Sequence, residues 1–253
     1  MPNFLECARE AQHGRIPMKG TALCAHFSRS FFGYARECGL SSAQIYVDVV
    51  GAFDTVLRQL LFDTPITDTI IAFVIKGLGC GPEVMHELAK HIADQSFLAD
   101  TSMSPYTRRC LQECHESTWF STQGLQVVAG TEVGSIPGDP LGDIVFNFIS
   151  SRVHGTLEVE LHEAGLLSEI DAPPCLATVP GHPTRRMRLF DNVYVDDAAF
   201  MLLASCAHAL IVKTARAAQI IRDVYASFFL VLNMKPGKSE VMLRLCGNKS
   251  KQI

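Results

Sequence analysis

The sequence predicts an α+β fold, a sheet with helices packed on one face. Three observations predict it. Short apolar stretches rich in β-branched residues lie at 43–50, 188–195, 198–203 and 238–245. Between them stand longer segments with apolar residues at three- and four-residue spacing, most clearly 206–229. Pro, Gly, Asp and Asn mark the joins, as turn chemistry requires.

Each element follows in order. "AQIYVDVV" (43–50) is a buried strand. "AFDTVLRQLLF" (52–62) is a helix, with Phe53, Val56, Leu57, Leu60 and Leu61 on one side. Thr64-Pro65 opens a second helix to about Lys76, and "PEVMHELAKHIAD" (82–94) forms a third. A strand pair lies within 118–130. Asp139 is placed to cap, and Pro140 to begin, a helix reaching about Glu163. "DAPPCLATVPGHP" reads as a long loop. A strand at 188–195 leads to Asp196-Asp197 and a second strand at 198–203. Ser205 then caps a long helix through Phe229, and "KSEVMLRL" is a last strand.

Composition bounds the function. The chain has 253 residues, 48% of them hydrophobic, enough to bury a large core in one domain or two interleaved ones. Net charge is −4, so charge alone gives no reason to expect nucleic-acid binding. Nine cysteines at irregular spacing do not make a disulfide framework, which predicts a reducing, intracellular setting, nuclear or cytoplasmic. Cys110, Cys114 and His115 form the one cluster with metal-like spacing; no second ligand pair follows, and buried or idle thiols are the better reading. The acidic start lacks a signal-peptide core, and the longest apolar run, 198–212, is too short to span a bilayer, so no membrane partner is expected.

The stretch "NVYVDDAAF" (192–200) sets two aspartates in apolar company, where unpaired carboxylates are costly or protonate. An ordinary hairpin turn accommodates them. Asp48, at the end of the strand at 43–48, changes the reading. If that strand neighbours 190–195, three carboxylates meet at one end of the sheet. Such a group suits Mg²⁺, which takes a few carboxylates together with water and phosphate oxygens. Two ions about 3.5–4 Å apart serve phosphoryl transfer.

In this order along the chain, "YVDVVGAFDTV", "GSIPGDPLGDIVFNF", "YVDD" and "KSEVML" resemble the palm motifs of reverse transcriptases, in the style of non-LTR retrotransposon enzymes. "QHGRIPMKGT" (12–21) resembles the Gln-x-Gly segment upstream of them. The resemblance implies an antiparallel palm backed by helices, at 43–65 and 119–247. Partial fingers would occupy 1–42 and 66–118, and 248–253 would be a tail. It implies RNA-directed DNA polymerase activity with two Mg²⁺ ions, which Mn²⁺ can replace, and with deoxynucleoside triphosphates and a primed RNA or DNA template as partners.

The resemblance assigns roles by residue. Asp48 and Asp196 are metal ligands and Asp197 supports them. Lys238, in Lys238-Ser239-Glu240, approaches the departing pyrophosphate as charge stabiliser or acid; a solvated lysine in a turn is the alternative. Phe53 sits under the sugar and excludes a 2′-hydroxyl, although its spacing also fits the core. Asp54 closes its motif, equally as a local helix-start acceptor. Tyr194 contacts the primer end or packs. Gly134 and Gly138 allow close backbone approach to the nascent pair, and Asn147 ends that motif on the template side. Pro137 stands where the family usually has Gln, which removes a polar contact and stiffens the backbone. Gly142 and Asp143 replace the usual Ser-Pro. Arg188, with Arg185 and Arg186, could touch phosphates or form a solvated loop.

The family's upstream fingers segments, thumb and endonuclease find no counterpart, which predicts a fragment with weak or no activity alone. Three functions stay open: an RNA-directed DNA polymerase domain, a catalytically silent nucleic-acid-binding or interaction module derived from one, and an RNA-directed RNA polymerase, against which Phe53 speaks.

Overall fold

The structure is a computed structural model that describes residues 12–13, 19–62, 64–78, 82–94, 98, 103–121, 123–124, 126–135, 140–171 and 186–246. It is a mixed α and β fold with antiparallel sheets.

A four-stranded sheet of order β6-β7-β1-β8 forms the centre, from β1 (Ser41–Val47), β6 (Asp191–Tyr194), β7 (Asp197–Ala204) and β8 (Glu240–Arg244). Every ladder in it is antiparallel, with Val47 opposite Ala198, Ile45 opposite Val241 and Tyr194 opposite Asp197. Alternation along β1 and β7 divides the side chains between two faces. Ala43, Ile45, Val47, Ala198, Phe200 and Leu202 join the main core. Met201 and Leu203 join a smaller one with Phe31 and Ala35.

Helices therefore cover both faces, not one as the sequence predicted. The long helices α6 (Pro140–Glu163) and α7 (Ala207–Ser227) pack together, with α7 against β1 and β7. On the other side α1 (Thr21–Glu37) packs against β1 and β6, and Gln44 Nε2 donates to Ser28 Oγ at 2.8 Å. Each buried Leu or Phe in these layers contributes about 1.5–3 kcal/mol by leaving water.

Several predicted elements differ in their details. The helix expected over 52–62 is broken into α2 (Ala52–Thr55) and a 3₁₀ turn at Arg58–Leu60. The carbonyls of Phe53 and Val56, which would continue the helix, accept instead from the backbone N–H groups of Ser135 and Gly134, each at 2.7 Å. The next helix, α3 (Asp68–Leu78), starts later than Thr64, because Thr67 Oγ1 accepts from the Ile70 N–H. Helix α4 (Pro82–Ala93) agrees closely with expectation. The strand expected over 188–195 is two: β5 (Arg186–Leu189) leaves the main sheet to pair with β4 (Ser168–Asp171), and β6 resumes after Phe190. Cys206, not Ser205, is the N-cap of α7.

Two helices were not anticipated, α1 and α5 (Pro105–His115). Cys110 and Cys114 lie on α5 as free thiols, and His115 is buried, with Nδ1 2.8 Å from the Leu111 carbonyl. The paired strands β2 (Thr118–Ser121) and β3 (Val128–Thr131) stand apart from the main sheet. The loop at 172–185, Asp139 and the tail at 248–253 lie outside the described residues. Among the described residues no helix is long and apolar enough to cross a membrane.

Candidate active site

The site is built at one end of the main sheet. Val47 and Ala198 face each other across β1 and β7, so the next residue of each strand end, Asp48 and Asp197, meet at the same edge. The link from β6 to β7 is a two-residue turn, Val195-Asp196, closed by the Tyr194–Asp197 pair. The turn thus sets Asp196 beside Asp197 despite the strand rule that sends neighbours to opposite faces. Val195 has φ +59°. A β-branched residue in that region is strained, and tight hairpins normally place Gly there.

These acids act on one another's charge. Burial pushes the Asp196 carboxyl above its ordinary range, and the charges of Asp48 and Asp143 push it further. Burial likewise raises Asp197, with Asp196 and Asp48 adding to it. Lys238 pulls both back. Asp143, in the first turn of α6, is buried. The sequence reading noted it only as a departure from the family pattern.

Asp48 is held by the segment that precedes β8. Asn233 donates its backbone N–H to the Asp48 carbonyl and Nδ2 to Asp48 Oδ2, both at 2.8 Å. Ser239 Oγ accepts the Asp48 N–H at 3.1 Å. Lys238 Nζ lies 3.5 Å from Asp48 Oδ1. The lysine side chain is 51% exposed, so this pair adds at most about 1 kcal/mol to stability. Asn233 was missed in the sequence because a polar residue in an aperiodic turn carries no pattern. The side chains able to hold a divalent ion are the carboxylates of Asp48, Asp196 and Asp197. As they stand, among the described residues no three His, Cys, Asp or Glu side chains close around a point where an ion would sit.

A second loop is stitched beside these acids. Gly134, at φ +82°, approaches the chain so closely that a Cβ would lie 2.6 Å from the Asp54 carbonyl oxygen. The close approach is to the chain's own backbone. Arg58, buried in the 3₁₀ turn, donates to the carbonyls of His115, Thr131, Val133 and Gly134 and to Thr131 Oγ1. Burial holds its pKa below the usual guanidinium value. Phe53 is half-buried with its ring centroid 5.1 Å from that of Phe146. Asp54 is exposed, in the first turn of α2. Tyr194 is half-buried at the turn.

Two residues read as template contacts have partners within the chain. Asn147 is fully buried and accepts from Gln12 Nε2 at 3.0 Å, tying the segment at 12–13 to α6. This corrects its reading as a template-side residue: it has no surface to present. Arg188 is half-exposed, and its guanidinium stands 3.6 Å from Glu158 and 3.7 Å from Glu169. Arg109 is similarly paired with Glu113 at 2.9 Å. Pro137 and Gly138 lie outside the described residues.

No protein-family model matches the chain, and no curated protein matches it.

Proposed function

We propose that the chain is the palm portion of an RNA-directed DNA polymerase, adding deoxynucleotides to a primer end on an RNA or DNA template. One observation carries this reading: Asp48 and the Asp196–Asp197 turn stand at the same end of one antiparallel sheet, with Lys238 at their margin. The donor chemistry supports Mg²⁺ as the cofactor, with Mn²⁺ as a substitute. Carboxylate oxygens are the ligands hard cations take, and an ammonium already stands against Asp48 as a cation would. When bound, two such ions would activate the primer hydroxyl and stabilise the leaving oxygen.

The chain's own residues have separate tasks in this reading. Asp48, Asp196 and Asp197 would hold the ions. The Phe53 ring, braced by Phe146, would lie under the sugar and leave no room for a 2′-hydroxyl. Lys238 would meet the departing pyrophosphate. Gly134, fixed against residue 54 and by Arg58, would set the loop that borders the nucleotide.

A specific observation favours a second reading, a silent nucleic-acid-binding module. Asp48 is already engaged by Asn233 and Lys238, and the acids do not enclose an ion point. Primer extension on an RNA template with Mg²⁺ or Mn²⁺ separates the two. The polymerase reading expects deoxynucleotide incorporation that disappears in Asp196→Asn, and ribonucleotide incorporation that rises in Phe53→Val. Incorporation by Asp196→Asn equal to that of the native chain would sink it. Ribonucleotide use equal to deoxynucleotide use by the native chain would point to an RNA polymerase instead.

A further inference from the structure

The two oxygens of Asp48 are treated differently by the turn that holds them. Oδ2 receives a short, neutral hydrogen bond from Asn233 Nδ2, at 2.8 Å. That donor is itself locked. The Asn233 N–H binds the Asp48 carbonyl, the Asn233 carbonyl accepts the Ser239 N–H at 3.0 Å, and Ser239 Oγ returns to the Asp48 backbone. Among the described residues Oδ1 meets only the end of a long, half-exposed side chain, with Lys238 Nζ at 3.5 Å. One oxygen is therefore fixed by a rigid donor, and the other carries a loosely held positive charge at the edge shared with Asp196 and Asp197.

We propose that Asn233 positions the Asp48 carboxylate through Oδ2, so that Oδ1 is the oxygen offered to a divalent ion, and that Lys238 is a displaceable counter-cation on that oxygen. The inference rests on the metal reading given above. It makes Asn233 a positioning residue, since it acts through Asp48. It also gives Lys238 a role before any reaction: the ion must displace it from Oδ1, and the freed ammonium then stands beside the site. Lysine suits this exchange, being a compact point charge on a flexible stem.

The two residues should shift metal affinity in opposite directions, which loss of structure alone would not do. The test titrates Mn²⁺ alone into the full chain and follows free Mn²⁺ by electron paramagnetic resonance. Lys238→Met should bind Mn²⁺ more tightly, by about threefold or more, because a like charge on the ligating carboxylate is removed. Asn233→Ala should bind it about tenfold more weakly, as loss of a residue that orients a ligand commonly does. Lys235→Ala removes the same charge from the same turn without a contact to Asp48, and should change affinity less than Lys238→Met. Unchanged or weaker binding by Lys238→Met overturns the proposal, as does a shift of both variants in one direction. The Lys238 arm alters an exposed side chain, so it decides the matter even if the fold does not tolerate Ala at 233. Absence of Mn²⁺ binding in the native chain and in every variant overturns the metal reading beneath it, whereas a native chain that binds while Lys238→Met gains nothing overturns this inference alone.

Discussion

Gly134 stands against Asp54 so closely that a Cβ on it would lie 2.6 Å from the Asp54 carbonyl oxygen. Its φ of +82° independently disfavours any side chain. Gly134→Ala should therefore destabilise the protein by about 2 kcal/mol or more, since the dihedral alone costs about 1–3 kcal/mol and the backbone of residue 54 cannot move aside cheaply. Urea denaturation measures it. A change below about 0.5 kcal/mol would mean that the two loops are not joined as described.

Behind the turn, His154 on α6 joins two other elements. Its Nδ1 lies 2.6 Å from Asp191 Oδ2 on β6 and its Nε2 3.0 Å from Tyr225 OH on α7, all of them buried. Replacing the imidazole leaves a buried carboxylate without this partner, whereas removing the phenol oxygen costs a single hydrogen bond. His154→Leu should cost about 3–5 kcal/mol and Tyr225→Phe about 1 kcal/mol, by equilibrium unfolding. Similar losses in both would show that the His–Asp contact does not carry the larger share.

Val195 turns the chain at φ +59°, a geometry glycine adopts freely and valine does not. Relief of about 1–3 kcal/mol of strain should exceed the extra backbone entropy that glycine loses, about 0.5–1 kcal/mol. Val195→Gly is expected to melt higher than the native chain. If the strain serves to hold Asp196 at the sheet edge, the same variant should bind Mn²⁺ more weakly. A lower melting temperature would show that packing of the valine side chain outweighs its dihedral cost.

The acids were legible in the sequence because three observations converge on them: short apolar strands, a turn between two of those strands, and a carboxylate at the end of a third. The neighbour differs from the expected one: the strand at 43–48 pairs with β7 and not with the strand at 190–195, and Val47 opposite Ala198 brings Asp48 to Asp197. What escaped depended on partners far along the chain. The helix pattern over 52–62 is real, but Phe53 and Val56 give their carbonyls to residues 134–135, and no local periodicity reports that. Helix α1 begins at Gly20 with no side-chain cap and no acid in its first turn, so its start left little signal. Asn147 resembles the end of a family motif, yet its bond from Gln12 makes it an internal strut. Asn233 acts only because a turn returns it to Asp48, from 185 residues away in the chain.

The raised carboxyls of Asp196 and Asp197 make stability depend on pH in an unusual sense for acids. Burial and neighbouring negative charge lift both above their unfolded values. Between the unfolded and the folded pKa the folded chain holds more protons than the unfolded chain, so stability falls as pH rises through that window. Below the unfolded value both states are protonated and the penalty vanishes; above the folded value it is present in full. Asp196→Asn should therefore be more stable than the native chain at neutral pH, with the difference closing as pH drops below the ordinary carboxylate range. Urea unfolding across this range measures it. On the proposed reading, Mg²⁺ should oppose the penalty by meeting the same charges, stabilising the native chain and leaving Asp196→Asn much less affected. A variant less stable than the native chain at pH 7 would show that Asp196 makes favourable contacts as a carboxylate that outweigh its burial and its like-charged neighbours.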